Sequence, residues 1–370
     1  MDRDPLVDLA RSLGAKVEAG ADVAALPIGG DEAVVVVGSQ AFNEADRSLD
    51  RCEIRSLQIL RASATISGGR FDHLGARGLR DFLPLHDGVH ALLTTANDLV
   101  LHNLASREQA TWAVHDLADI HTITAVGESV LVASTATDEI VEIGLDGHVR
   151  GRMDLAPLRH ENAQPIAHDR ALGGAVAGIL TETRSSGGNE PLHSQDHFHA
   201  NEAFVGHDAH RYAVVHHTSG FRPILHATNR LVGHGSGGVV DLDAMRAYEL
   251  ELVAPHSARR TATGYAIIDS GRQRLVLTDF GWTPTGEVAL PGWGRGFGID
   301  ADGSRWFIGI SATRRRYLRT LQTSYPNAVA VVRDRVNVAT RVITGVEQIW
   351  SVHVVNSGFA QLLLESMTRA

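Results

Sequence analysis

The chain has 370 residues, with 34 Lys and Arg against 43 Asp and Glu, for a formal net charge of −9. That acidic balance, with a pI near 6.1, argues against a nucleic-acid partner, because phosphate contacts demand a basic stripe. A hydrophobic content of 44% provides for a large core, and a single cysteine, Cys52, excludes an internal disulfide and a Cys-rich zinc module.

Residues 5–19 open with Leu6, Leu9, Ala10 and Leu13 at i, i+3, i+4 and i+7, a spacing that predicts a short amphipathic helix. After Gly29-Gly30 comes Ala33–Gly38, AVVVVG, a β-branched run of the kind that forms a buried strand. Beyond it almost no helical periodicity remains. Instead a strand unit recurs. Residues 119–147 pass from an entry strand with His121 through a Gly turn to the apolar stretches Val130–Ser134 and Ile140–Ile143, and end on Asp-Gly. Similar units begin near residues 80, 255 and 294, and again at Glu347. A spacing of about 40 residues, with turn signals between short strands, is the mark of radial repetition.

The units fall near 33–60, 80–110, 118–150, 196–245, 252–290 and 293–340, and the tail from 347 completes the first. This predicts an all-β chain, a six-bladed β-propeller in one domain over 1–370 with a short N-terminal helix, five or seven blades being the alternatives. The pattern breaks between 151 and 192, which reads as an insertion or lid over one face.

Seven of the chain's 20 histidines fall within residues 193–217. His197, His199 and Asn201 alternate there, so in a strand they share a face. In a propeller the first strand of each blade lines the axis, and aligning the units on their second strands sets His121, His199 and His256 at one position. Asp81 or Phe82, Arg295, and Ile349 or Trp350 take that position in the other units. Three converging imidazoles suit one divalent transition metal, iron, zinc or manganese, with His197 as a candidate fourth ligand. The ordinary alternative is a set of hydrogen-bonded histidines with no ligand, and His216, His217 and His353 are read that way.

Arg295, in PGWGRG, has the planar fork that clamps a carboxylate or phosphate, or else bonds blade carbonyls. Glu347, Asp81 and Glu202 are candidate catalytic carboxylates, against ion pairs between blades and, for Glu202, a surface position. Asn201, Arg259 and Trp293 are candidate substrate contacts. No phosphate loop and no His-Glu-x-x-His occurs, and Gly233–Gly237, GHGSG, matches a nucleophile elbow only loosely.

Six segments, DHFHANEA (196–203), PHSARR (255–260) with IIDSG (267–271), LPGWGRGFG (290–298) with IGISATRRR (308–316), and GVEQIWSV (345–352), resemble an uncharacterised bacterial β-propeller family, over roughly residues 196–355. The family usually carries a Cys-His-Leu-Asn-Gly type segment where this chain has His197 to Asn201, and Pro in place of Ala258. The resemblance implies the fold and points to these loops without naming a reaction.

Together these readings give a metalloenzyme of lyase, isomerase or hydrolase type acting on a small polar molecule at the propeller axis. A non-haem iron oxygenase with an all-histidine site, by analogy with the propeller-shaped carotenoid cleavage enzymes, and a non-catalytic binding propeller are the alternatives. The N-terminus is acidic and no run reaches the ~20 apolar residues of a membrane span, so the expected setting is cytoplasmic, with no membrane or nucleic-acid partner. Oligomeric state leaves no signal.

Overall fold

The computed structural model describes residues 4–19, 23–39, 55–70, 79–95, 97–166, 196–311, 325–346 and 348–368. Its strands form six antiparallel sheets, the blades of a β-propeller. Blade 1 takes strands from both ends of the described chain. Gln348–Asn356 is its first strand, followed outward by Glu32–Ser39, Arg55–Arg61, Ala64–Arg70 and Lys16–Ala19. Blade 2 runs from Asp81–Pro84 to Gln109–Trp112, blade 3 from Ile120–Val126 to Val149–Asp154, and blade 4 from Ala200–Val205 to Arg246–Leu252. Blade 5 runs from Pro255–Thr261 to Pro284–Ala289, and blade 6 from Trp293–Ile299 to Val336–Val342. First strands of successive blades touch all the way round, so the ring closes.

The valine run explains why closure holds. Val34 and Val36 face blade 6, packing on Phe307, Val329 and Val331, while Val35 and Val37 face the other way, into a cluster with Phe82 and Leu93 of blade 2. A strand buried on both faces reads as a continuous apolar run rather than an alternating one. Two arginines finish the seam. Arg61 binds Asp4 Oδ2 through Nε at 2.7 Å, and through its other nitrogens the carbonyls of Gly30 and Glu32 and the Ser357 hydroxyl. Arg341, on the outer strand of blade 6, donates to the carbonyls of Ala24, Arg61, Ala62 and Ala64 in and beside blade 1. Burial lowers its pKa to about 10.

Among the described residues three α-helices accompany the sheets. Helix α1 spans Pro5–Ser12, with the Asp4 carboxylate accepting from Leu6 N at 3.0 Å at its start. It is shorter than the 5–19 that periodicity predicts. The chain turns at Gly14, φ +77°, and Lys16–Ala19 becomes the outer strand of blade 1. Helix α2, Pro223–Val232, lies between the second and third strands of blade 4, and α3 spans Ser357–Thr368. The sequence reading passed over both. In α3 the buried Phe359, Ala360, Leu363, Leu364 and Met367 follow helical spacing, and they pack with α1. No helix among the described residues is long and apolar enough to cross a membrane.

The predicted insertion at 151–192 begins later than expected, because Val149–Asp154 is the outer strand of blade 3. Its described part is stitched to blade 4: His160 N donates to Ser219 O at 3.0 Å and Gln164 N to Phe221 O at 2.8 Å. Residues 167–192 lie outside the described set.

Replacing Arg341 by Met removes the donor to four carbonyls at the blade 6–blade 1 seam. Buried carbonyls left without a donor are costly, so Arg341→Met should lower unfolding free energy by about 3 kcal/mol, read as an earlier urea midpoint.

Candidate functional site at the propeller axis

Five of the six first strands, all but that of blade 2, begin in the same way. Ile120, Ala200, Pro255, Gly294 and Ile349 pair with Ser134, Val215, Asp269, Ile310 and Gly38, and the register then slips by one residue. That slip is a β-bulge, a device that re-aims a side chain. The residues just past the pairing are His121, Asn201, His256, Arg295 and Trp350. The shared position in blade 4 is therefore Asn201, not His199 as the aligned units suggest. Register rather than counting fixes the equivalence, since the hairpin after the first strand takes residues 206–210 in blade 4 but only 127–128 in blade 3 and 262–263 in blade 5.

His199 still reaches the axis. It lies just before the strand in the left-handed conformation, φ +51°, matching Asp119 at +53° and Ala254 at +48° in the neighbouring blades. Such a conformation costs a β-carbon-bearing residue about 1 kcal/mol or more and is concentrated at functional sites. His121 and His199 meet edge to face with ring centroids 5.2 Å apart. His199 in turn lies 4.4 Å from His216, which lies 5.8 Å from His256. His256 contacts Trp293 at 5.8 Å. On the other side the Arg295 guanidinium stacks 4.1 Å from the centre of Trp350, Arg80 sits 5.3 Å from the same ring, and Trp350 meets His121 at 6.4 Å. Gly296, φ +72°, permits this approach: a Cβ there would stand 2.7 Å from the Ser351 Cα. Every blade contributes to this ring, with four imidazoles on one side and two guanidinium groups on the other.

The imidazoles are held by fixed acceptors. His199 Nδ1 lies 3.0 Å from Asp196 Oδ2, and His256 Nδ1 3.0 Å from the Ala254 carbonyl and 2.7 Å from Ser270 Oγ. A carboxylate or carbonyl beside Nδ1 accepts a hydrogen bond from the Nδ1–H and so leaves the lone pair on Nε2. His121 Nε2 lies 3.4 Å from Asp119 Oδ2. Burial would raise the Asp119 carboxyl, but Arg80 and His121 outweigh it and hold it well below the usual range. Burial pushes His121 down to about 4 against the pull of Asp119. Burial, and then repulsion from His199 and His256, pushes His216 well below the ordinary histidine value. These two imidazoles are neutral at pH 7.

The other sequence candidates have different places. His197 is turned from the cluster, its Nδ1 2.9 Å from Asp138 Oδ2 and its Nε2 3.3 Å from Arg159. Burial raises Asp138 to about 6. Glu202 is buried, not on the surface: blades pack face to face, and it accepts from Ala258 N at 2.8 Å and pairs with Arg259 of blade 5. Arg259 is thus part of a blade-to-blade clamp. Asp81 accepts from Ile123 N at 3.1 Å and faces His353 Nε2 at 2.7 Å, a seam between blades 1, 2 and 3. Glu347 lies outside the described residues. His216, read as structural in the sequence, is the ring that joins His199 to His256.

Among the described residues, no group of three or more His, Cys, Asp or Glu side chains is disposed as a metal centre. The donor chemistry nevertheless suits one. Two rings direct Nδ1 to a carboxylate or carbonyl, as metal-binding histidines do.

The depressed histidines set a pH dependence. A histidine whose folded pKa lies below its unfolded value binds fewer protons when folded, so its stability contribution is complete above about 6.5 and is lost as pH falls. For His121 the window runs from about 6.5 down to about 4. Chelator-treated protein should lose about 3 kcal/mol across it through this residue, and His121→Asn should flatten the profile of unfolding midpoint against pH.

No family model matches the chain, and no curated protein matches it. Solved structures do resemble it in fold. A chain from a nidogen/laminin complex aligns with a TM-score of 0.51 at 9% identity, over 87% of this chain and 98% of that one. A protein of unknown function from Bacteroides caccae aligns with a TM-score of 0.52 at 9% identity, over 88% and 99%. At that identity the likeness speaks for the fold alone: the chain is a six-bladed β-propeller.

Proposed function

We propose that the axial imidazoles bind one divalent transition metal, iron, zinc or manganese, and that the protein is a metal-dependent enzyme acting on a small polar molecule. The observation that carries this reading is the cluster itself. Buried imidazoles crowd at 4.4–5.8 Å, and two of them are kept neutral, a state that favours a ligand cation over protons. The reading rests on donor chemistry rather than on a coordination geometry. Such a metal supplies Lewis acidity toward water or a substrate oxygen, which suits lyase, isomerase or hydrolase chemistry.

The chain's own residues would divide the remaining work. Arg295, oriented by the Trp350 face and by Gln348 Oε1 at 3.4 Å, presents a planar fork to a carboxylate or phosphate. Asp196 and the Ala254 carbonyl hold their histidines in one tautomer. Arg80, paired with Asp119, adds positive charge on the same side. The segments resembling the uncharacterised bacterial propeller family supply His199, His256, Trp293, Arg295 and Trp350, and membership of that family belongs to this proposal.

Elemental analysis of untagged protein purified without chelator, beside a His199→Ala variant, tests the reading. About one metal per chain, lost in the variant, is expected. Absence of bound metal after separate reconstitution with iron, zinc and manganese would overturn it in favour of a binding propeller without catalysis.

A further inference from the structure

In blades 3, 5 and 6 a hydroxyl at the end of the second strand makes a blade-to-blade bond. Thr135 Oγ1 donates to Ala200 O at 2.5 Å, Ser270 Oγ to Gly294 O at 2.6 Å, and Ser311 Oγ to Ile349 O at 3.1 Å. In each case the hydroxyl lies one residue beyond the second-strand residue paired at the border of the bulge (Ser134, Asp269, Ile310), and the acceptor is the equivalent carbonyl on the next blade. The hydroxyl thus anchors the axial end of the neighbouring first strand. In blade 4 the equivalent of Thr135, Ser270 and Ser311 is His216, since Ala200 pairs with Val215. The carbonyl due to be bound is Pro255 O. It is bound, but by Asn201 Nδ2 at 2.6 Å.

We propose that blade 4 exchanges the duties of these two positions: Asn201 is the anchoring residue, and His216 is a ligand-binding residue of the axial site. In blades 3, 5 and 6 the bulge position bears the axial side chain, as His121, His256 and Arg295, and the position beyond the paired second-strand residue bears the anchor. In blade 4 the short amide of Asn201 spans to Pro255 O from the bulge. The position beyond the paired residue carries an imidazole whose ring meets both His199 and His256. The exchange gives blade 4 two imidazoles at the axis, His199 and His216, and makes the four rings contiguous. Asn201 acts on a substrate only through this placement; it is a positioning residue. The assignment of His216 as a metal ligand rests on the metal reading above, whereas the exchange does not.

A double-mutant cycle in metal-free protein tests the exchange. Asn201→Ala leaves the buried Pro255 carbonyl without its anchor and should lower the folding equilibrium constant about tenfold or more. In a His216→Ser background the hydroxyl is restored at its usual place, and the same change should cost about threefold or less. Equal losses in both backgrounds would overturn the exchange. His216→Thr, matching Thr135, serves the cycle if the serine variant fails to fold.

Titration of Zn2+ by calorimetry tests the ligand role. His216→Ser, folded with an unchanged or raised thermal midpoint, should bind Zn2+ at least about tenfold more weakly than wild type, in the range known for lost metal-site partners. Unchanged Zn2+ affinity would overturn the role of His216. A wild type that takes up no metal at all would remove the metal reading and the ligand role with it, while the stability cycle would still decide the exchange.

Discussion

The structure depends on how the axial ends of its first strands are fastened. At the axis a first strand has its second strand on one side only, and its opening carbonyl would otherwise face a neighbour that offers no ladder. Buried backbone acceptors without a donor are costly. The chain meets this constraint with side chains reaching across five of the six seams. Thr135, Ser270 and Ser311 do so with hydroxyls, Asn201 with an amide, and Arg80 with a guanidinium to Ile120 O at 3.1 Å. Because the same few residues fasten the blades and border the site, blades 3 to 6 each use one side chain to anchor the next blade and others to face the axis, while Arg80 of blade 2 does both. What a blade can contribute to chemistry is set by which position does which task.

Seen this way, the axial ring is a division of charge. The imidazoles come from blades 3, 4 and 5, two of them held neutral by burial. The guanidinium groups come from blades 2 and 6, braced on a tryptophan of blade 1. Asp119 binds one arginine and one histidine, which joins the two halves. Asp196 and the Ala254 carbonyl fix ring orientation on the imidazole side, so donor direction there follows from the turns that precede the strands.

Much of the fold was legible. The blades announce themselves through strand length and turn chemistry, and AVVVVG reads as a strand buried on both sides because it is one. Helix α3 was passed over because its apolar residues come in adjacent pairs, Phe359-Ala360 and Leu363-Leu364, which resemble the strand runs before them. The site was legible in type more than in register. His121, His256, Arg295 and Trp350 share a position, but in blade 4 that position is Asn201, two residues beyond His199, because pairing across the bulge sets register and the sequence does not display it. His216 had a readable signal. The strings VAS-Thr135, IID-Ser270 and IGI-Ser311 end on a hydroxyl, and AVV-His216 does not. What no string reveals is that the missing hydroxyl is replaced from Asn201. That compensation exists only across a blade seam.

The pairing of Glu32 with Asn356 and of Ser39 with Gln348 joins segments more than three hundred residues apart. Contacts so distant in the chain form late, after the loop entropy between them has been overcome. Trp350 is carried on this closing strand, and with it the support for Arg295 and Arg80. The two halves of the axial ring therefore mature in different ways. The histidine side is built from blades 3 to 5, neighbours along the chain, and can take shape early in folding. The arginine side waits for the circle to shut, so a chain caught before closure would hold its donor rings without the cationic wall opposite them.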